Sequence, residues 1–155
     1  MDESKQAKPA RKPKTFSYRA ELKWLEGRRA ELNPGEGKPR LAVSSPVEFK
    51  GEPGNISAED MLVSSLTICQ MGTFLAFAAH KGFEIIAYED SAEGVMEVVE
   101  RKLKFTKVTL HPKLTIAREE DRQTALKLLE DAHNSCAISN SVNFEVFVEP
   151  TVVVG

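Results

Sequence analysis

Cysteine is scarce in this chain: two residues in 155, Cys69 and Cys136. The N-terminal residues also lack the apolar stretch of a secretory signal, so a reducing, cytoplasmic setting is expected. Structural disulfides do not persist there, which leaves two readings of the pair: inert core thiols or a redox couple. Missing too are a glycine-rich phosphate loop, a Ser-His-Asp order and any interleaving of basic with aromatic residues. The net charge of −2 is too small to draw the chain to nucleic acid or an anionic membrane. The three histidines, His80, His111 and His133, are scattered. His133 and Cys136 form H-x-x-C, but no carboxylate or second histidine is spaced to complete a zinc site, so neither metal nor cofactor is expected. With 41% hydrophobic and 28% charged residues, and no internal repeat or linker, the chain reads as one globular domain over residues 16–155. Residues 1–15, with Lys5, Lys8, Arg11, Lys12 and Lys14, read as a basic, solvated tail.

Charge is absent altogether from Met61 to Ala79. Ser57 and Asp60 form the S-x-x-D pattern of a capping box, and Lys81-Gly82 supplies a cationic last turn and a C′ glycine. The spacing predicts one helix of about 24 residues, roughly 36 Å long. Its serines, threonines, Gln70 and Gly72 make it too polar for a membrane span, and Trp or Tyr anchors are missing at its ends. It reads instead as the buried central helix of a soluble fold. Leu62, Ser65, Leu66, Cys69, Gly72, Thr73 and Ala76 share the thiol's face, small enough for another backbone to come close.

Around this helix the chain alternates. Phe16 to Trp24 has period two and predicts a half-buried strand; Arg28 to Leu32 returns, and Arg40 to Ser45 follows the turn Asn33-Pro34-Gly35-Glu36-Gly37. Beyond Gly82, Phe83–Glu100 and Leu103–Ile116 predict a hairpin joined at Glu100-Arg101-Lys102, with Pro112 at an edge or bulge. Ala125, Leu128, Leu129 and Ala132 form the apolar stripe of a helix over Glu119–Asn134. A last strand runs from Asn143 to Val153, with Phe144, Val146 and Val148 inward. The order βββ-α-ββ-α-β predicts an α+β domain with one mainly antiparallel sheet.

Cys69 lies too deep in its helix for the N-terminal dipole to lower its pKa, so a thiolate there needs a cation from elsewhere. Arg28, Arg29 and Arg40, near turns, are the candidates, since guanidinium stays charged and forks onto two acceptors. Glu59 has an ordinary use as a favourable charge in the first helical turn. It stands ten residues before Cys69, about 15 Å along the axis, so the two could share a site only across a dimer interface.

Glu59-Asp60-Met61-Leu62, Cys69 ten residues after the glutamate, and Ala132-His133-x-x-Cys136 before the final strand together resemble the OsmC/Ohr family, the osmotically inducible protein C and organic hydroperoxide resistance proteins. The resemblance spans about residues 16–155. Ser57-Ala58-Glu59 replaces the Asn-Pro-Glu of many members and Ala137 a frequent proline, which places the chain nearer the broad OsmC-like branch. The resemblance implies an intertwined homodimer that reduces hydroperoxides. It implies Cys69 as the peroxidatic cysteine, Cys136 as the resolving cysteine that forms an intramolecular disulfide, and Glu59 as the carboxylate holding Arg28 over the thiolate. An external dithiol, lipoylated or thioredoxin-like, would then reduce the disulfide.

The alternative is a non-catalytic dimer of the same fold that binds a small apolar ligand at its interface. In either case Leu66, Thr73 and Ala76, with Phe74 and Phe77 nearby, suggest an apolar pocket beside Cys69. A helix apolar around nearly its whole circumference cannot be covered by one sheet and one narrow helix, so a two-fold dimer is expected.

Overall fold

The computed structural model describes residues 13–155, so the basic tail expected over residues 1–15 lies almost wholly outside them. Contacts divide the chain into two compact units, the residues before Ile56 and Ile56–Gly155.

The first unit is an antiparallel meander of β1 (Glu21–Glu26), β2 (Arg29–Asn33) and β3 (Leu41–Ser44). Gly27, at φ +52°, opens the two-residue turn between β1 and β2, where an L side chain would be strained. The strand expected over Phe16–Trp24 begins only at Glu21, because β2 runs out of partners at Asn33. Nor is it half-buried: Leu22 and Trp24 stand 66% and 70% exposed. At the unit's end Gly51 is obligatory, since a Cβ there would fall 1.5 Å from the Ser45 carbonyl oxygen.

The second unit is built on α1 (Ala58–Lys81), whose ends fall at the predicted signals. The Ser57 side chain accepts from the Asp60 N–H, and the Asp60 carboxylate accepts from the Ser57 N–H at 2.9 Å. Gly82 closes the helix in the left-handed conformation. By length and composition α1 could cross a membrane, a test that the core helix of a water-soluble fold also meets. Here Leu66, Gln70, Phe74 and Ala78 are buried, one side of the helix, while Ile68 is 64% exposed and Met71 and Leu75 stand partly bare beside it.

Three long segments complete the unit, and each is bent at the same level. β4 (Ala87–Glu89) gives way to β5 (Ala92–Val99) at Asp90-Ser91. β6 (Lys102–Leu110) breaks into β7 (Lys113–Ile116) at His111-Pro112, and β8 (Glu145–Val148) into β9 (Thr151–Val154) at Glu149-Pro150. Below the bend β5 pairs antiparallel and β8 parallel with β6; above it β4 pairs antiparallel and β9 parallel with β7. Hydrogen bonds from His111 N to Ser91 O, Glu149 N to Leu110 O and Thr151 N to Pro112 O carry the chain across. Proline cannot donate to a ladder, so Pro112 and Pro150 end one set of pairings and start another. The α+β class and antiparallel bias therefore hold, but the expected single sheet is three three-stranded pieces.

The bend divides the interior. Phe74 and Ala78 of α1 pack with Leu114, Ile116, Val152 and the apolar stripe of α2 (Arg122–Ser135) in one core. Leu66 packs with Val108 and Leu110 in the other, against Val63, Phe105, Ile138, Phe144, Val146 and Val148. The second helix starts three residues later than expected because Glu119–Asp121 form a 3-10 turn.

Two stability effects follow. Ser57→Ala should cost about 1 kcal/mol, read from the urea midpoint. The Asp60 pKa is lowered by hydrogen bonds from the Ser57 backbone and hydroxyl. Its stabilisation is therefore complete above the ordinary aspartate value and fades as pH falls through the lowered one; Asp60→Asn should remove that part of the pH dependence. A Cβ at Gly94 would stand 2.7 Å from Val63 Cγ2 and 2.8 Å from the Phe105 ring, where α1 lies against β5. Gly94→Ala should cost about 1–3 kcal/mol with an unchanged denaturant slope.

Candidate functional site

Cys69 and Cys136 meet where the two cores divide. On α1, Cys69 sits between Leu66 of one core and Phe74 of the other. Cys136 ends α2 between Ala132 and Ile138, which again belong to different cores. The neighbouring Gln70, fully buried, donates from Nε2 to the Leu129 carbonyl at 3.0 Å and so ties α1 to α2 beside the thiols. Both cysteines are reduced; Cys69 is half-buried and Cys136 wholly buried.

The chain past α2 wraps the second sulfur. Asn140 N bonds the Cys136 carbonyl at 3.0 Å and opens a 3-10 turn at Ser139–Ser141. At the head of that turn Ser139 N donates to Cys136 Sγ at 3.4 Å, the i to i+3 bond of a helix cap with sulfur in place of a hydroxyl. The Ile138 N–H also acts to lower both thiol pKa values. The Ser139 hydroxyl is close enough to favour a Cys136 thiolate, but it is not aligned as a hydrogen-bond donor and has no other partner. The backbone bond therefore carries the hold.

These contacts divide the charge between the sulfurs. Burial, and the hydrogen bond that its thiol gives to Cys136, push the Cys69 pKa up, against lowering contributions from the Ile138 N–H and the Thr73 hydroxyl. Burial alone would also raise Cys136, but donation from Cys69, Ser139 and Ile138 outweighs it and the net direction is down. Within one chain, then, the surroundings favour the anion on Cys136 over the anion on Cys69.

Glu59 stands in the first turn of the continuous helix α1, about 15 Å along the axis from Cys69, so one chain does not bring them together. Its Oε2 is buried and lacks a hydrogen-bond partner among the described residues. Arg28 follows Gly27 in the β1–β2 turn of the first unit, and among the described residues it makes no ion pair. Arg29 is engaged, with Glu26 at 3.0 Å and Glu52 at 3.5 Å, and Arg40 bonds Glu31.

The pocket residues need correction. Leu66 and Phe74 are core residues with no exposure, because the i, i+4, i+8 row they form with Gln70 faces inward, and Phe77 packs on the same core as Phe74. The sequence reading missed the sulfur-capping role of Ser139 and Ile138; the three-residue spacing from Cys136 to Ser139 was its available signal. A separate cavity of about 220 Å³ among Lys81, Gly82, Phe83, Glu84, Arg118 and Asp121 holds neither cysteine. Among the described residues no three His, Cys, Asp or Glu side chains converge as metal ligands would.

A bent three-stranded sheet on a long central helix, with paired thiols where helix and crossover meet, defines the class of fold. The family model described as OsmC-like protein matches residues 51–151, and the chain belongs to that family. The match includes Glu59, Cys69 and Cys136 but stops short of Arg28.

Solved structures agree on the fold. An OsmC-like protein of unknown function from Vibrio cholerae O1 biovar eltor has a TM-score of 0.79 at 24% identity, covering 88% of this chain and 99% of that one. A Legionella pneumophila structure described as an organic hydroperoxide resistance protein OsmC gives 0.70 at 20%, covering 90% and 98%. An organic hydroperoxide resistance protein of Bacillus subtilis gives 0.64 at 19%, covering 89% and 98%. No curated protein matches the chain.

The polarity of the thiol pair is open to titration. Cys136→Ala removes the acceptor and the charge that hold the proton on Cys69, so the Cys69 pKa should fall relative to the intact protein. Ultraviolet absorbance of the thiolate against pH measures this; an unchanged or higher value would contradict the arrangement.

Proposed function

We propose that this protein is a dimeric thiol peroxidase for organic hydroperoxides. The observation that carries the reading is a solvent-reachable Cys69 facing a buried Cys136 across the division between the cores. Family membership supports it, as do the hydroperoxide resistance proteins among the structures of similar fold.

In this mechanism the Cys69 thiolate attacks the terminal peroxide oxygen. The O–O bond breaks, the alcohol leaves with a proton, and Cys69 becomes a sulfenic acid. The Cys136 thiolate then attacks Cys69 Sγ and displaces hydroxide, which leaves as water. An external dithiol, lipoylated or thioredoxin-like, reduces the disulfide.

Cys136 draws charge away from Cys69, so the attacking thiolate needs a cation, and Arg28 is assigned that part with Glu59 as its carboxylate anchor. A buried Glu59 oxygen without a partner is what an anchor awaiting a guanidinium looks like. Separation along α1 then requires that Glu59 of one protomer serve the Cys69 of the other. The uncovered side of α1, with Ile68, Met71 and Leu75, supplies an apolar surface for that second copy.

Cys69→Ser should abolish consumption of cumene hydroperoxide, and Cys136→Ser should allow one turnover that stops at the sulfenic acid; full activity of Cys69→Ser would refute the assignment. Sedimentation equilibrium at micromolar concentration should give twice the 17.2 kDa chain mass. A stable 17.2 kDa monomer would remove the shared site.

A further inference from the structure

The two sulfurs are held so differently that a disulfide between them would not be symmetric. Cys69 is the sulfur solvent can reach; Cys136 has no exposed surface. Cys136 Sγ, not Cys69 Sγ, accepts the aligned N–H of Ser139, at the head of a 3-10 turn pinned by Asn140 N on the Cys136 carbonyl. Ile138, the residue between, is packed on the core of Leu66, Val108 and Leu110, so the turn is fixed by burial as well as by hydrogen bonds. A fixed donor aimed at one sulfur stabilises negative charge on that sulfur whenever an S–S bond to it breaks.

We propose that in the reductive half of the cycle the external dithiol attacks Cys69 Sγ, while Cys136 is the leaving thiolate, received by the backbone of the Ile138–Ser139 turn. The proposal rests on the peroxidase reading for the origin of the disulfide, and it assigns the Ser139 N–H a catalytic part. Its chemistry is thiol–disulfide exchange. A thiolate of the dithiol forms a bond to Cys69 Sγ as the Cys69–Cys136 bond breaks, and the electron pair stays on Cys136 Sγ. The second thiol of the reductant, after losing its proton, attacks its partner sulfur in the mixed disulfide and releases Cys69 as thiolate. The reductant leaves as a cyclic disulfide, oxidised by two electrons, and both protein sulfurs are reduced. Exchange is faster when the leaving thiol has the lower pKa and the attacked sulfur is accessible, and both conditions select the same direction here. The lowered pKa of Cys136 and the raised pKa of Cys69 agree with that direction. The half-reactions thereby use the sulfurs in opposite senses: Cys69 receives every incoming molecule, and Cys136 meets only Cys69.

The test forms the disulfide in the intact protein with diamide, without any peroxide, so that loss of peroxidase activity and loss of this proposal are separate results. The oxidised protein is exposed briefly to 2-mercaptoethanol, a monothiol that stops at the mixed disulfide. The reaction is quenched in acid and digested with pepsin at low pH to prevent reshuffling, and peptide mass spectrometry locates the adduct. The expected result is mercaptoethanol on Cys69 with Cys136 free, in at least about tenfold excess over the reverse. An adduct mainly on Cys136, or an even division, overturns the proposal. Failure of diamide to join Cys69 to Cys136 overturns it as well, because the proposal requires the sulfurs to come within bonding reach.

Discussion

One helix has to satisfy two cores. The bend at Ser91, Pro112 and Pro150 turns the sheet into two half-sheets with separate apolar interiors, and α1 runs past both. Leu66 fills one interior and Phe74 the other, and between them only Gln70 is fully buried. A hydrogen-bonded amide is a costly choice for a closed interior, and its Oε1 indeed lacks a partner. What it supplies is the bond to Leu129 that ties α1 to α2 at the edge of the Phe74 core. The height of α1 against α2 sets the height of Cys69 against Cys136, so the proposed thiol chemistry would depend on this clip.

Charge is distributed unevenly around the two sulfurs. The 3-10 turn favours the anion on Cys136, while at Cys69 the Thr73 hydroxyl and the Ile138 N–H pull the same way but are outweighed by burial and by Cys136. The first-turn carboxylate of Glu59 has an unmet acceptor, and the helix that carries it is bare along Ile68, Met71 and Leu75. An unmet acceptor and an uncovered apolar side on one element are the features on which the proposed dimer rests.

Much of this was legible in the residues. Ser57, Asp60 and Gly82 mark the ends of α1 because caps are local chemistry, decided within four residues. The strands were harder, for two reasons of different kind. In β6 the apolar residues Leu103, Phe105, Val108 and Leu110 change phase midway. The structure absorbs the change with a bulge that pairs Met96 with Phe105 and Val95 with Lys107, leaving Thr106 as the extra residue and keeping Phe105, Val108 and Leu110 on one core. The bends, by contrast, depend on three segments breaking together; Pro112 and Pro150 were visible singly, but their common level is a property of pairing. At the site, the two cysteines and Glu59 could be nominated by spacing. Their separation in space could not, since it depends on where a crossover through α2 returns the chain to the sheet.

That crossover has a consequence for how the protein is made. Cys69 is synthesised long before Cys136, and the two are brought together only once β8 and β9 have added in parallel beside β6 and β7. Such non-local pairing forms late, because a long loop must close before any contact rewards it. A nascent or partly folded chain therefore has little chance to join the two sulfurs, and the thiol pair comes into being with the finished structure. Once closed, the same bond would cross-link a long loop, worth about 4 kcal/mol against unfolding in the chain-entropy account. A disulfide there would then leave the chain in its sturdier form.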